Sequence, residues 1–362
     1  MNLNFSNLTA PNGALQKLSE ILFAHLMQNE QLSKIARIMP AQQHGKKVAL
    51  LKGFEMLGQK SEGCDVTWNN TVTNNTEQTW DIQEWQVSEY ICYETLKGTL
   101  AQMALKHKVK VADLTGSEYI DDILMPFLEQ ALLEMLLRFA FFGDKNATTY
   151  DSSTNPTGTL KAGTDKKYFD VINGFWKTIF TAVSGGTIGR TTIAANAETT
   201  TAQQRNTLHV SGTASDLLDQ VIEDAPIELT QASDQIILCT KSVWDAVKQD
   251  VKRNNKGSEL QFESWFSGIK YTEWDGIPML VLPFWDKIIR SYLQNTTNTS
   301  AYALPHRVIY TCKDNLLVGT ESQNEIAEID YWFSKKDQKN YILSKDTIGT
   351  MILDPKLIQV AY

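Results

Sequence analysis

The feature that most constrains this fold is a long apolar run with helical spacing that ends abruptly at Gly143. Between residues 117 and 143, apolar side chains recur every three or four positions, and the charged residues fall off that stripe. Ser117 is suited to cap the start, and Pro126 is expected to bend or divide the helix. A helix of this length spans roughly 35 to 40 Å, which is longer than a small domain needs. The pattern therefore predicts a helix that lies across a wide sheet, although a core helix of a globular enzyme would share it.

Upstream of that helix, two alternating segments around an Asn- and Thr-rich stretch predict an extended β-hairpin over residues 63–94. Apolar and polar residues alternate over 63–72 and over 79–90, on either side of a turn expected at 73–78. Two strands alone are marginal in water, yet this hairpin carries Trp68, Trp80 and Trp85. We therefore expect the hairpin to lie either on its own domain or across a neighbouring copy of the chain.

The other patterns mix helices and strands, which predicts an α+β fold. Residues 14–39 form a first helical segment with one leucine-rich face, and residues 168–183 form a second amphipathic helix. The polar residues 184–206 are expected to be a loop. Further along, Ile236–Leu238 is predicted as a buried strand before a helix, and Asp275-Gly276 as the turn of a hairpin. From residue 307 onward the chain is predicted to be mostly strands.

The composition and motifs favour a structural protein over an enzyme. The net charge of −8 argues against a dedicated nucleic-acid binder. Four widely spaced cysteines and five scattered histidines predict neither a metal site nor a disulfide framework. No nucleophile, phosphate-loop or dinucleotide motif is present, so no cofactor and no catalytic residue are expected. Without a signal peptide or membrane span, we expect the chain to act in the cytoplasm or in an assembly built there.

Several motifs, in their order along the chain, resemble the major capsid protein fold of tailed bacteriophages, which encapsulin compartments and herpesvirus capsid floors share. These motifs are FFGD (141–144), NPTG (155–158), IILCTKSVWDAVKQDV (236–251), EWDGIPMLVLPFWD (273–286), NLLVGTESQNEIAEIDYWFS (315–334) and IGTMILDPKLIQVAY (348–362). The resemblance covers nearly the whole chain. It implies an N-terminal arm, an extended hairpin loop, a peripheral domain with a long spine helix, and an axial domain.

The resemblance also implies boundaries for these parts. They are an arm at 1–45, a first part of the peripheral domain at 46–62, the hairpin loop at 63–94, the peripheral domain at 95–165 with the spine helix at 117–143, the axial domain at 166–306, and C-terminal strands at 307–362 that complete both domains. No long charged N-terminal region of the kind found in members with a fused scaffold is present, which implies a separate scaffolding protein.

The function implied is self-assembly into pentamers and hexamers that form an icosahedral shell around double-stranded DNA. The protein would be a virion component assembled in the cytoplasm of a bacterial host. Portal and decoration proteins are implied partners, packaged DNA is expected to make only weak, non-specific contacts, and no membrane is involved. The residues expected at subunit interfaces are Trp68, Trp80, Ile82 and Trp85 of the hairpin and Leu15, Leu18 and Leu22 of the arm. Burial of the tryptophans on their own domain is the alternative.

Two other functions stay open on the sequence alone. One is an encapsulin-like compartment that holds an enzyme cargo, and the other is an Asn/Thr-rich adhesin or glycan-binding module. Deletion of residues 66–82 should distinguish a hairpin that contacts neighbours from one that belongs to the core. The first predicts a folded subunit that cannot close shells, and the second predicts global unfolding.

Overall fold

The structure is a computed structural model that describes residues 35–51, 75–92, 125–254, 263–265, 269–321, 328–334, 336 and 339–362. The helices are α1 Met125–Phe142, α2 Phe175–Ser184, α3 Thr201–Leu208, α4 Thr213–Glu223, α5 Ile227–Thr230, α6 Lys241–Asn254 and α7 Pro283–Tyr292. Single 3₁₀ turns lie at Lys166–Tyr168, Ala194–Ala197, Lys313–Asn315 and Pro355–Leu357. The strands are β1 Arg37–Met39, β2 Lys47–Leu51, β3 Asn75–Thr79, β4 Gln83–Cys92, β5 Gly189–Thr191, β6 Gln235–Cys239, β7 Glu263–Trp265, β8 Ile269–Trp274, β9 Ile277–Val281, β10 Val308–Cys312, β11 Leu316–Gly319, β12 Glu328–Ser334, β13 Lys339–Ile352 and β14 Ile358–Ala361.

One sheet lies between two helical layers. It contains seven strands in the order β5-β14-β10-β6-β9-β8-β7, so strands far apart in sequence are neighbours. Successive side chains of a strand point to opposite faces, and β6 shows this directly. Ile236 and Leu238 enter the core that contains α1, α2 and α7, whereas Ile237 and Cys239 enter the core that contains α4 and α6. The sheet is thus covered on both faces, which accounts for the burial of every residue of β10 and of all residues of β6 after Gln235.

The second sheet is organised around β13, the longest described strand. Its residues 339–345 pair antiparallel with β12 on one edge, and residues 339–348 pair antiparallel with β4 on the other. Residues 349–352 then pair antiparallel with β11, and β1 joins parallel to β11. Trp85, Leu316, Val318, Ile348 and Ile352 carry the α1 core onward into this sheet. The two sheets therefore share one continuous core, and α1 lies at its centre.

Helix α1 is the described part of the predicted spine helix, and residues 117–124 of that prediction lie outside the described residues. Pro126 is the second residue of α1, and the helix continues without interruption to Phe142. Near its end the helix is buried on all sides, because Phe141 packs against both Phe175 and Trp285 at 5.2 Å between ring centroids. The glycine at 143 is required by close approach: a Cβ there would lie 2.5 Å from the carbonyl oxygen of Ile172.

Several local predictions are confirmed and others are wrong. The strand at 236–238, the helix after it and the hairpin at Asp275-Gly276 are present, and both turn residues have positive φ as a two-residue hairpin of type I′ requires. The predicted loop 184–206 instead contains β5 and α3. Polar residues are buried there because hydrogen bonds satisfy them: Gln204 of α3 donates to the carbonyl of Tyr302 at 3.0 Å and accepts from its backbone N–H at 3.0 Å.

The predicted hairpin pairing also differs from the structure. The expected turn at 73–78 overlaps β3, which pairs antiparallel with β2 rather than with a strand at 79–90. The second predicted strand, at 79–90, overlaps β4 at Gln83–Cys92, but β4 pairs with β13 of the second sheet. The predicted first strand at 63–72 lies outside the described residues. The helix predicted at 168–183 begins only at Phe175, after a 3₁₀ turn at Lys166–Tyr168.

Candidate assembly surface

The candidate surface is built around a two-stranded ribbon, which we define as β2 and β3. Its register pairs Lys47 with Thr79 and Leu51 with Asn75, and among the described residues no further strand joins it. Lys47 and Glu77 form an exposed ion pair at 2.8 Å across the ribbon. Because a two-stranded ribbon is marginal on its own in water, its base must be held by the rest of the chain.

An aromatic contact with the second sheet holds the base of the ribbon. Backbone hydrogen bonds join Gly45 and Lys46 to Trp80, at 2.8 and 2.9 Å, immediately beyond the ribbon. The Trp80 ring is 1% exposed and covers Gly319 of β11 so closely that a Cβ there would lie 2.7 Å from Cζ3. Ile82, Leu317 and Met351 complete this small cluster, with Met39, Val48 and Leu353 packed against it.

An ion pair joins the same base to the end of the spine helix. The Lys145 ammonium lies 2.5 and 2.7 Å from the two carboxylate oxygens of Asp81, and Gln83 also donates to Asp81 at 2.9 Å. Partial burial raises the pKa of Asp81, but these hydrogen bonds and the nearby Lys145 and His44 together outweigh it and hold the pKa below its usual value. Lys145, the residue that follows FFGD, therefore holds the chain at Asp81, where it passes from β3 to β4.

The predicted interface residues fall into two groups. Trp68 of the hairpin and Leu15, Leu18 and Leu22 of the arm lie outside the described residues. Trp80, Ile82 and Trp85 lie within them and are at most 4% exposed, all three in cores of their own chain. The alternative considered for the tryptophans, burial on their own domain, describes where Trp80 and Trp85 lie in the isolated chain. Their assignment to an interface stays a prediction.

The exposed apolar side chains that the sequence analysis missed lie elsewhere. Tyr90, on β4, is 57% exposed beside Tyr341, and the Lys339 ammonium lies 3.9 Å from the centre of its ring. Val210 and Ile227, both within the predicted axial domain, are 58% and 68% exposed. The available signal was weak: Ile227 follows a proline, and Val210 precedes Ser211-Gly212 within a polar stretch.

Three buried ionisable groups have structural partners. Asp250 accepts from the backbone N–H groups of Ala214 and Ser215 at the start of α4, and Asp286 accepts from that of Lys241 at the start of α6. Burial lowers the pKa of His306 to about 4, and its ring nitrogens lie 2.9 Å from the Ser242 hydroxyl and 3.2 Å from the Gln204 carbonyl. These groups stabilise helix ends and loops.

Two further observations limit the chemistry of the described part of the chain. No group of three or more His, Cys, Asp or Glu side chains within it is arranged to hold a metal ion. None of the helices it contains has the length and apolar character needed to cross a bilayer. Cys239 and Cys312 are buried free thiols, and burial raises the pKa of both.

The comparison with solved structures identifies the fold. A chain of the satellite phage P4 procapsid, which includes the size determination protein Sid, matches with a TM-score of 0.50 and 11% identity, over 95% of this chain and 98% of that chain. A chain of Gordonia phage Cozz matches with a TM-score of 0.49 and 10% identity, over 91% and 85% of the two chains. The capsid of an empty GTA particle matches with a TM-score of 0.49 and 11% identity, over 91% and 88%. No protein-family model and no curated protein matches this sequence.

The fold predicted from the motif order is thereby confirmed. The first of these matches extends over nearly the full length of both chains, so the likeness is one of the whole fold rather than of one part of it. The chain has the α+β fold of phage capsid proteins.

Proposed function

We propose that this chain is a structural capsid subunit that self-assembles, as pentamers and hexamers, into an icosahedral shell around double-stranded DNA. The observation that carries the proposal is the capsid fold, which matches over 95% of the chain. A fold alone does not define a function, so the surface must be compatible with the role. The described surface offers a ribbon with no partner strand and no grouping of metal ligands, which suits assembly better than catalysis.

The ribbon and the arm supply the proposed contacts between subunits. Residues 52–74, which join β2 to β3, would lie over an adjacent subunit, with Trp68 as an apolar anchor. Leu15, Leu18 and Leu22 would form a second contact through the leucine face of the arm. Trp80, Ile82 and Trp85 would contribute indirectly. They are buried in their own chain, and there they would fix the direction in which the ribbon leaves the subunit.

The other proposed partners follow from the same role. A separate scaffolding protein would guide closure of the shell, and portal and decoration proteins would occupy special positions on it. Packaged DNA would make weak, non-specific contacts, because a net charge of −8 disfavours tight binding of phosphates. The assembled protein would be a virion component built in the cytoplasm of a bacterial host.

Negative-stain electron microscopy of the purified chain, with light scattering after size exclusion on the same sample, tests the proposal. We expect shells, tubes, or rings of five and six subunits, and the diameter would separate phage-like shells from smaller encapsulin-like compartments. If the chain alone stays monomeric, the sample should then be mixed with a candidate scaffolding protein. A chain that is monomeric at all concentrations, with and without scaffold, would contradict the proposal.

A further inference from the structure

A cavity of about 470 Å³ lies where the end of α1 meets α2 and the loop that follows α7. Its walls are largely apolar, and three of its rings are Phe142, Trp176 and Phe180. The volume falls in the range of pockets that hold small organic ligands. None of the residues that line the cavity belongs to the ribbon or to the residues proposed for contacts between subunits.

A buried arginine lines this cavity without a counter-ion. Arg307 is 2% exposed, and its guanidinium lies over the rings of Phe142, Trp176 and Phe180, at 5.5, 4.9 and 5.3 Å from their centres. Its Nε donates to the carbonyl of Leu304 at 2.8 Å and its Nη2 to that of Ala303 at 3.1 Å. Nη1 has no hydrogen-bond partner, and no carboxylate within the described residues forms an ion pair with the group.

This arrangement leaves a cation that the chain itself does not neutralise. Burial lowers the pKa of Arg307 to about 9, so the guanidinium still carries its charge at neutral pH. The cavity wall contains one acidic side chain among its lining residues, Asp144, but that carboxylate is already paired with Lys177 at 2.9 Å. A buried charge without a partner is strongly unfavourable, and an anion that reaches Nη1 would relieve it.

The backbone is shaped to present the guanidinium in this position. Leu304, whose carbonyl accepts from Nε, has a φ of 48°, in the left-handed region that a side chain with a Cβ rarely adopts. That conformation turns the carbonyls of Ala303 and Leu304 toward one edge of the guanidinium. The edge that carries Nη1 is left for another acceptor.

We propose that the cavity binds an organic carboxylate with an apolar body. One carboxylate oxygen would accept from Nη1 of Arg307, and the body would lie among Phe142, Trp176 and Phe180. A small inorganic anion would pair with the arginine but leave the apolar walls unfilled, and a neutral apolar molecule would leave the charge unpaired. The carboxylate belongs either to a free acid or to an acidic side chain of a polypeptide, and the chemistry of recognition is the same.

Isothermal titration calorimetry of the full chain tests this with matched pairs of probes: 3-phenylpropionate and hexanoate against their primary amides. We expect each acid to bind at least about tenfold more tightly than its amide, since the charged hydrogen bond is absent from the amide. Arg307→Met should abolish that preference. Equal binding of acid and amide, no binding of either, or an acid preference that survives Arg307→Met would overturn the proposal.

A second pair of variants keeps the test decisive if Arg307→Met does not fold. Thr181 lies exposed at the rim of the cavity on α2, so Thr181→Trp should block entry while Arg307 stays in place. Thr181→Ala is the matched control and should bind the acids as the unchanged chain does. Acid binding unaffected by Thr181→Trp would place the ligand elsewhere and reject the cavity.

A blocked peptide with one glutamate between two leucines identifies the source of the carboxylate. Tighter binding of the peptide than of the free acids assigns the site to a polypeptide, and weaker binding assigns it to a free acid.

Discussion

At the scale of single residues, a tight packing contact between Trp80 and Gly319 fixes the base of the ribbon. The Trp80 ring lies directly on the backbone at Gly319, where no other residue type fits without displacement. Gly319→Ala is therefore expected to destabilise the chain by about 1–3 kcal/mol, the usual cost of overpacking a tight site. Denaturant unfolding followed by tryptophan fluorescence measures the change.

Gly185→Ala is the matched control for this substitution. Gly185 follows α2 with a φ of −83°, and a Cβ there would meet nothing closer than 3.5 Å. Its effect on the free energy of unfolding should be close to zero. Equal losses in the two variants would show that the contact between Trp80 and Gly319 is not the cause.

His306 gives the chain a pH dependence whose sign follows from its burial. Burial lowers the pKa of His306 to about 4, whereas an unfolded histidine titrates near 6.5. Above pH ~6.5 the histidine is neutral in both the folded and the unfolded chain, and its contribution to stability is fully present. Below pH ~6.5 the histidine binds a proton in the unfolded chain but stays neutral in the folded chain, so the unfolded chain is favoured. We expect a loss of about 3 kcal/mol in the free energy of unfolding as the pH falls from ~6.5 to ~4.

The contribution of His306 is isolated by comparing variants. His306→Gln should lower the stability at neutral pH, because it disturbs the bonds to Ser242 and Gln204, but it should flatten the acid dependence. Identical acid dependence in the chain with and without His306 would exclude this residue as the source.

At the scale of elements, the structure revises which part of the hairpin can be removed. Residues 66–82 include β3, Trp80 and Ile82, so their deletion should unfold the subunit rather than only prevent assembly. Replacement of residues 52–74 with an Asn-Gly turn would join Leu51 to Asn75, which are already paired neighbours. We expect this shortened chain to keep its circular dichroism spectrum and unfolding midpoint but to form no shells in electron micrographs. Shells of normal size from the shortened chain would show that residues 52–74 make no essential contact.

The elements that the sequence predicted well are those with a strong local signal. The apolar stripe of α1, the run of β6 and the Asp275-Gly276 turn each require a periodicity or a backbone conformation that nearby residues specify. The pairing of β2 with β3 was missed because alternation shows that a segment is a strand but does not identify its partner. Alternation around residues 73–78 fitted a turn there, and no local feature indicated that β4 would join β13.

The candidate surface and the cavity depend on contacts that sequence patterns do not encode. Helix α3 was predicted as loop because its polar residues carry no apolar stripe, and Gln204 is buried there only because Tyr302, far along the chain, supplies its partners. Trp80 and Trp85 are buried in cores of their own chain, and the sequence could not determine against which chain they would pack. Arg307 was not predicted as a site residue, since an isolated arginine in a sequence is usually exposed. Only the structure shows that its guanidinium lies among three aromatic rings.

At the scale of the whole molecule, the core explains how such a subunit could act as a rigid tile. One core runs from the seven-stranded sheet through α1 into the second sheet, so neither sheet is an independent unit. The ribbon is tied to that core at Trp80 and at the pair Asp81–Lys145. A force on the ribbon from a neighbour would therefore be transmitted to both sheets, which suits a shell in which every subunit must hold one shape.

The net charge of −8 sets how such tiles should respond to salt. Subunits of like charge repel one another as they approach, and salt screens this repulsion over a Debye length that falls from ~30 Å at ~10 mM to ~8 Å at ~150 mM. If apolar contacts hold the shell together, assembly should become faster and more complete as sodium chloride rises over that range, and light scattering at fixed protein concentration would record it. Sucrose at matched osmolality is the control and should not reproduce the effect. Scattering that falls with salt would instead mean that ion pairs between subunits dominate, and the apolar anchors proposed for the arm and ribbon would have to be replaced by charged ones.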